Sequence, residues 1–193
     1  VGDDEYADLL IGSPGVSAPG GGLGSGEVTL FLGPLNEDDM GDADFIRTGS
    51  ADVVFNGRGT EGRFGHAIAT DGDLDGDGFA DLVLSAPKVD RDSKSECGAV
   101  YIFSGDRDWE GAGTLTANDY DTKLYSDQRE MHFGHSVTFV GDANGDGRDD
   151  LLVGAPNAPI GGVNKGAALL MLGHTTKFML GTELRHTLSD AWY

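Results

Sequence analysis

The stretch Asp73–Leu74–Asp75–Gly76–Asp77–Gly78–Phe79–Ala80–Asp81 carries carboxylates at its first, third, fifth and ninth positions and glycine at its sixth. It returns 69 residues later as Asp142–Ala143–Asn144–Gly145–Asp146–Gly147–Arg148–Asp149–Asp150. Carboxylates held this closely repel one another unless a cation lies between them. Calcium suits such a loop, because it takes about six to eight oxygens in a flexible shell. The spacing assigns the side chains of Asp73, Asp75, Asp77 and Asp81, with the Phe79 carbonyl, to one ion. A second ion would take Asp142, Asn144, Asp146 and Asp150, with the Arg148 carbonyl. Gly78 and Gly147 let the chain fold back without a Cβ clash. An EF-hand is excluded, because its twelfth position needs a bidentate Glu, and Leu84 and Val153 stand there. A pair of solvated acidic turns is the plainer reading. Two copies in register, with the same glycine and the same closing Asp, weigh against it.

These loops must be set on a scaffold. The chain has 193 residues, enough for a sizeable core, and a formal net charge of −20. Seven of the negative charges lie at the assigned ligand positions of the two loops, Asp73, Asp75, Asp77, Asp81, Asp142, Asp146 and Asp150. The remainder is still acidic, which argues against nucleic acid and anionic membranes as partners. Cys97 is the single cysteine, so no intrachain disulfide is expected and the thiol reads as free and buried. No apolar run is long enough to span a membrane. The chain begins at Val1 without a signal peptide, which reads as a processed or excerpted piece. The 32 glycines foretell many tight turns.

Three segments align at a period of about 70 residues. Their landmarks are Asp8–Pro14 with Gly26–Gly33, Asp81–Pro87 with Gly98–Gly105, and Asp150–Pro156 with Gly166–Gly173. Phe64–Gly65–His66 recurs as Phe133–Gly134–His135. The units run approximately over 1–63, 64–132 and 133–193, and the first lacks its first strand. Each unit reads as four short strands. Strand one is His66–Thr70 and His135–Val140. Strand two is Leu9–Gly12, Leu82–Ser85 and Leu151–Gly154, and strand three is Val28–Leu32, Ala99–Phe103 and Ala167–Leu172. Strand four is assigned to Asp52–Phe55, Lys123–Tyr125 and Leu184–Leu188. Strands two and three are near-continuous apolar runs, as expected of strands buried on both faces.

Four-stranded units repeated about an axis make a β-propeller, an all-β fold. Phe-Gly, then Asp-x-Asp/Asn-x-Asp-Gly-x-x-Asp, then an apolar run ending in Ser85–Ala86–Pro87 or Gly154–Ala155–Pro156, resembles the FG-GAP repeat. That repeat builds the propeller of integrin α subunits and of prokaryotic relatives. The resemblance covers essentially the whole chain as about three blades, an incomplete ring. It departs in the first unit, where only Asp4 and Asp8 remain of the metal loop and Glu5 replaces the turn glycine, so no third ion is assigned there. Propellers close with roughly four to eight blades. The expected partners are therefore further blades of a longer chain or other copies of it.

The resemblance implies an extracellular or cell-surface module, calcium-stabilised and non-catalytic, that serves in binding or adhesion. It places the calcium loops on one face. The opposite face carries Gly15–Ser25, Lys88–Cys97, Asn157–Lys165, Gly57–Arg63 and Asp127–His132, where a protein or glycan ligand would dock. The alternatives are a structural subunit of an extracellular filament or surface layer, and the propeller part of a secreted hydrolase or lyase. Other motifs carry less. Gly20–Gly26 precedes a strand, unlike a phosphate-binding loop. Ser136 lacks the closing glycine of a nucleophile elbow. His132 and His135 lack the Glu of a zinc-protease helix, and Lys94 replaces the first Ser needed for an adhesion-type metal site after Asp92. His66 and His135 occupy equivalent positions, which favours a structural role.

Overall fold

The computed structural model describes residues 6–35, 48–160, 163–174 and 182–186, and among these the chain is built from strands, with one 3-10 turn at Thr48–Ser50. Strands β1 (Leu9–Ser13), β2 (Glu27–Phe31) and β3 (Val53–Asn56) form the first antiparallel meander. The second consists of β4 (Ile68–Gly72), β5 (Asp81–Ala86), β6 (Ala99–Phe103) and, after β7 (Gly113–Thr116), β8 (Thr122–Ser126). The third contains β9 (Ser136–Gly141), β10 (Asp150–Ala155) and, after a two-stranded ribbon of β11 (Pro159–Ile160) and β12 (Val163–Asn164), β13 (Ala167–Met171). The last strand, β14, is Thr182–His186. No helix among the described residues is long and apolar enough to cross a membrane.

The second sheet is buried on both faces, which explains its unbroken apolar runs. Side chains alternate across a strand, so Leu82, Leu84 and Ala86 of β5 join Ala99, Tyr101 and Phe103 of β6 on one face. They pack on Val28, Leu30, Val53 and Phe55 of the first sheet. From the other face, Val83, Val100, Ile102 and Leu124 pack on Val137, Leu151, Val153 and Ala155 of the third. Three sheets stacked in this way are consecutive propeller blades, and they form an arc, not a closed ring.

The Phe-Gly pair seals each blade to the next. Phe64 lies in the core between the first and second sheets, and Phe133 in the core between the second and third. The Phe133 N–H donates to the Cys97 carbonyl at 3.1 Å. That approach requires Gly98, whose φ is +86° and whose Cβ, if present, would overlap the Phe133 backbone. One and three residues before Phe64 and Phe133 the chain is also left-handed at non-glycine positions, Arg63 and Glu61 in one copy and His132 and Glu130 in the other. Each such residue costs about 1–3 kcal/mol. Backbone bonds to the preceding loop offset it: Glu61 to Leu23 at 2.6 Å and Glu130 to Ser95 at 2.8 Å.

Strands one to three fall within two residues of their expected positions. The expected third copy of strand four does not. Leu184 lies on β14, which pairs in parallel with β8 of the second sheet, Leu184 opposite Leu124. Its counterpart one repeat earlier is β7, which pairs in parallel with β3 of the first sheet. These segments are thus a fifth strand, given by each unit to the blade before it. The stretch where the repeat would place the third strand four lies outside the described residues. The first sheet begins at strand two, as expected, with no strand beside β1 on its free edge among the described residues.

His66 and His135 precede β4 and β9, edge strands of the second and third sheets, and their rings meet at 5.0 Å between centroids, edge to face. Burial lowers the His66 pKa, and the neighbouring His135 and Arg63 lower it further. The unfolded chain therefore takes up a proton at His66 more readily than the folded one. This contribution to stability is complete above the ordinary value of 6.5 and drains away as pH falls below it. Denaturant unfolding between pH 8 and pH 5 should show the wild-type chain losing stability more steeply than His66→Phe; parallel profiles would contradict this.

Candidate metal centre

The first carboxylate loop joins β4, an edge strand of the second sheet, to its neighbour β5, and the second joins edge strand β9 to β10 in the third. Each loop folds around its first residue. Both carboxylate oxygens of Asp73 accept backbone N–H groups, Oδ1 from Gly76 at 2.7 Å and Asp77 at 3.2 Å, Oδ2 from Gly78 at 2.8 Å. Asp142 repeats the pattern with Gly145 at 2.6 Å, Asp146 at 3.0 Å and Gly147 at 2.8 Å. These donors, Gly147 foremost, hold the Asp142 carboxyl below the ordinary carboxylate value. The third and fifth residues each cap a further turn: Asp75 takes Asp77 N–H, Asp77 takes Phe79 N–H, Asn144 takes Asp146 N–H and Asp146 takes Arg148 N–H.

The result in the first loop is convergence. One oxygen each from Asp73, Asp75 and Asp77 lies within 4.8 Å of the others, with Asp75 buried. The expected fourth side chain, Asp81, stands beside them but is engaged elsewhere. Its Oδ2 accepts Leu74 N–H at 2.8 Å and its Oδ1 accepts Gly105 N–H at 3.0 Å. Burial pushes the Asp81 carboxyl up to about 7, with Asp75 and Asp73 adding to the rise and the two N–H donors opposing it. Asp150 is held in the same way, by Ala143 at 2.9 Å and Gly173 at 2.8 Å. The second loop is more exposed, at Asp142, Asn144 and Asp146 alike. Its ligand set carries one carboxylate fewer, with Asn144 in place of Asp75, and the Arg148 guanidinium lies 3.2 Å from Asp146 Oδ2. Phe79 and Arg148 occupy the expected seventh positions. Asp4 lies outside the described residues.

The closing Asp has a role that spacing alone did not reveal. In the first unit Asp8 accepts Gly33 N–H at 2.9 Å, as Asp81 does with Gly105 and Asp150 with Gly173. This aspartate ties the start of strand two to the end of strand three even where the rest of the metal loop is degenerate. A second such latch comes from Asp52 to Leu32 N–H at 2.8 Å and Asp121 to Ser104 N–H at 2.9 Å. Its signal was present in the sequence, since Asp52 and Asp121 also recur 69 apart before strand four.

At the other ends of the strands, the loops expected to form a recognition face come together. The Lys94 ammonium donates to the Asp127 carbonyl at 2.6 Å, and Lys88 N–H to the Gly62 carbonyl at 3.3 Å. Glu96 bonds both Lys88 and His132, which hold its carboxyl below the ordinary value, and the other His132 nitrogen faces Asn157 at 3.1 Å. Arg91 stacks 3.3 Å over the Tyr125 ring beside a small cavity lined by Asp92, Lys94 and Asp127. Cys97 is buried and free. Ser136 starts β9, as expected, and not a helix.

Stacked antiparallel blades whose first two strands are joined by acidic Asp-Gly loops define a β-propeller of the repeat-loop kind. The chain carries FG-GAP repeats: that repeat matches residues 64–103 and 133–171, from the Phe-Gly pair through strand three of the second and third blades. Among curated proteins it is similar to phosphatidylinositol-glycan-specific phospholipase D of Bos taurus, 34% identical over 163 residues, 84% of this chain and 18% of the relative. Integrin alpha-6 of Gallus gallus is 33% identical over 171 residues, 81% of this chain and 15% of the relative. Integrin alpha pat-2 of Caenorhabditis elegans is 37% identical over 94 residues, 49% of this chain and 7% of the relative. The chain thus spans less than a fifth of the length of these relatives.

The latch can be tested apart from any ion. Asp8→Ala should destabilise the fold by about 1–2 kcal/mol in denaturant, because a charged acceptor is lost and the half-buried Gly33 N–H is left without it. Asp8→Asn, which keeps the acceptor, should recover most of that. The loss should be the same with and without chelator; a loss that vanishes in chelator would assign Asp8 to a metal site instead.

Proposed function

We propose that this chain is a calcium-stabilised, non-catalytic binding module of an extracellular or cell-surface protein. The observation that carries the reading is the convergence of Asp73, Asp75 and Asp77 oxygens in a loop already shaped by its own backbone bonds. The donor set is all oxygen and all hard, which fits calcium better than a transition metal. Asp73, Asp75, Asp77 and Asp81 with the Phe79 carbonyl would hold one ion. Asp142, Asn144, Asp146 and Asp150 with the Arg148 carbonyl would hold the other. The bound ion would cancel carboxylate repulsion and fasten strand one to strand two. The loops at the opposite ends of the strands would then meet a protein or glycan ligand on a rigid scaffold. Val140, Leu170 and Leu172 are exposed on the third sheet, which supports a further blade or a second copy as neighbour there.

Extracellular calcium modules bind in the range of roughly 10⁻⁴–10⁻³ M. Two such sites at millimolar calcium should add about 2 kcal/mol, a rise of ~5 °C in unfolding midpoint. Chelator should reverse this, and Asp75→Ala with Asp146→Ala should abolish most of it. Identical melting curves with calcium and with chelator would sink the reading.

The similarity to phospholipase D favours a second reading, in which the module is the propeller part of a secreted hydrolase. The native polypeptide decides between the two. Purified from its source, it should hydrolyse a glycan-linked phosphatidylinositol if the second reading holds and leave it intact if the first does.

A further inference from the structure

The two carboxylate loops touch across the blade boundary, and the contact runs through a residue outside both ligand sets. Asp149 is the eighth position of the second loop, between Arg148 and Asp150. Its Oδ2 accepts the Asp73 N–H at 2.9 Å, and its own N–H donates to the Asp73 carbonyl at 2.9 Å. The two bonds close a ring on the residue around which the first loop folds. Beside it, side-chain carbons of Arg148 lie over Gly76, and His174 N–H donates to the Leu74 carbonyl at 2.8 Å. Gly173, the neighbour of His174, is in turn the donor to Asp150. Every covalent neighbour of Asp149 is therefore fixed when the second loop is fixed, and the first two residues of the first loop are fixed with it.

We infer that Asp149 is a positioning residue that couples the two loops, so that calcium in the second raises the affinity of the first. The inference rests on the calcium reading above. Holding Arg148 and Asp150 in place orders Asp149 between them, and the ordered Asp149 presents Asp73 for binding at no further entropic cost. Linkage requires the reverse effect to be equal in size. The eighth position of the first loop is Ala80, which has no carboxylate to pass the contact onward.

Calcium titration calorimetry on the full chain tests this. Asp142→Ala disables the second loop and Asp75→Ala the first. Each should leave the remaining site about fivefold weaker than in the wild type, the worth of one or two partly exposed hydrogen bonds. In an Asp149→Ala background the same two substitutions should leave the remaining site unchanged, because coupling is already gone. Asp149→Asn keeps an acceptor for Asp73 N–H and should retain the coupling, with melting in chelator confirming that both variants fold. Coupling that survives Asp149→Ala overturns the inference, and coupling lost equally in Asp149→Asn replaces it with a charge effect. Two bound ions with independent sites leave the calcium reading standing and refute this one; no bound ion in any variant refutes both.

Discussion

An aspartate at the head of strand two, buried in the second and third blades, is the interaction on which each blade depends. Asp81 and Asp150 are fully buried, where an ionised carboxylate is costly unless donors surround it. The donors come from two directions, the backbone of the acidic loop and the glycine ending strand three. One side chain thus fixes loop, strand two and strand three together. Burial leaves Asp81 poorly disposed to carry its charge, with Asp73 and Asp75 beside it. A divalent cation among these groups would reverse that balance. In this respect the acidic loop and the strands beneath it are one electrostatic unit.

Much of this was legible in the residues. The carboxylate loops, the Phe-Gly turns and the doubly buried strands each leave a local pattern, and a 69-residue repeat confirms them against one another. Strand four was weaker because its signal is shared. β8 is of mixed composition, Thr-Lys-Leu-Tyr-Ser, and its neighbour β14 is similarly mixed, so Leu184–Leu188 read as the wrong strand. β7 was invisible, being four residues of Gly-Thr-Leu-Thr whose pairing partner, β3, lies some sixty residues earlier. The Asp73–Asp149 contact could not be read at all. It spans 76 residues and uses a position that the nine-residue spacing leaves open.

The chain is similar in sequence to part of relatives named as integrin subunits and as a phospholipase, each several times longer than this chain. What they share with it is the blade, and the blade explains why. Its acidic loops sit at one end of the strands, and its interlocked polar loops at the other. The core between blades is built mainly from the strands and the Phe-Gly pair, with Leu74 of the first acidic loop and Met131 and Ala158 of the opposite loops inserted into it.

The parallel pairing of β7 with β3 and of β14 with β8 puts the unit of duplication out of phase with the unit of folding. A gene segment copied from one Phe-Gly pair to the next would encode a sheet lacking its rim and a rim lacking its sheet. Blades joined this way resemble overlapping roof tiles more than beads on a string. Pulling the chain from one end would load the rim strand of one blade and the backbone of the next together, so neighbouring blades should yield as pairs.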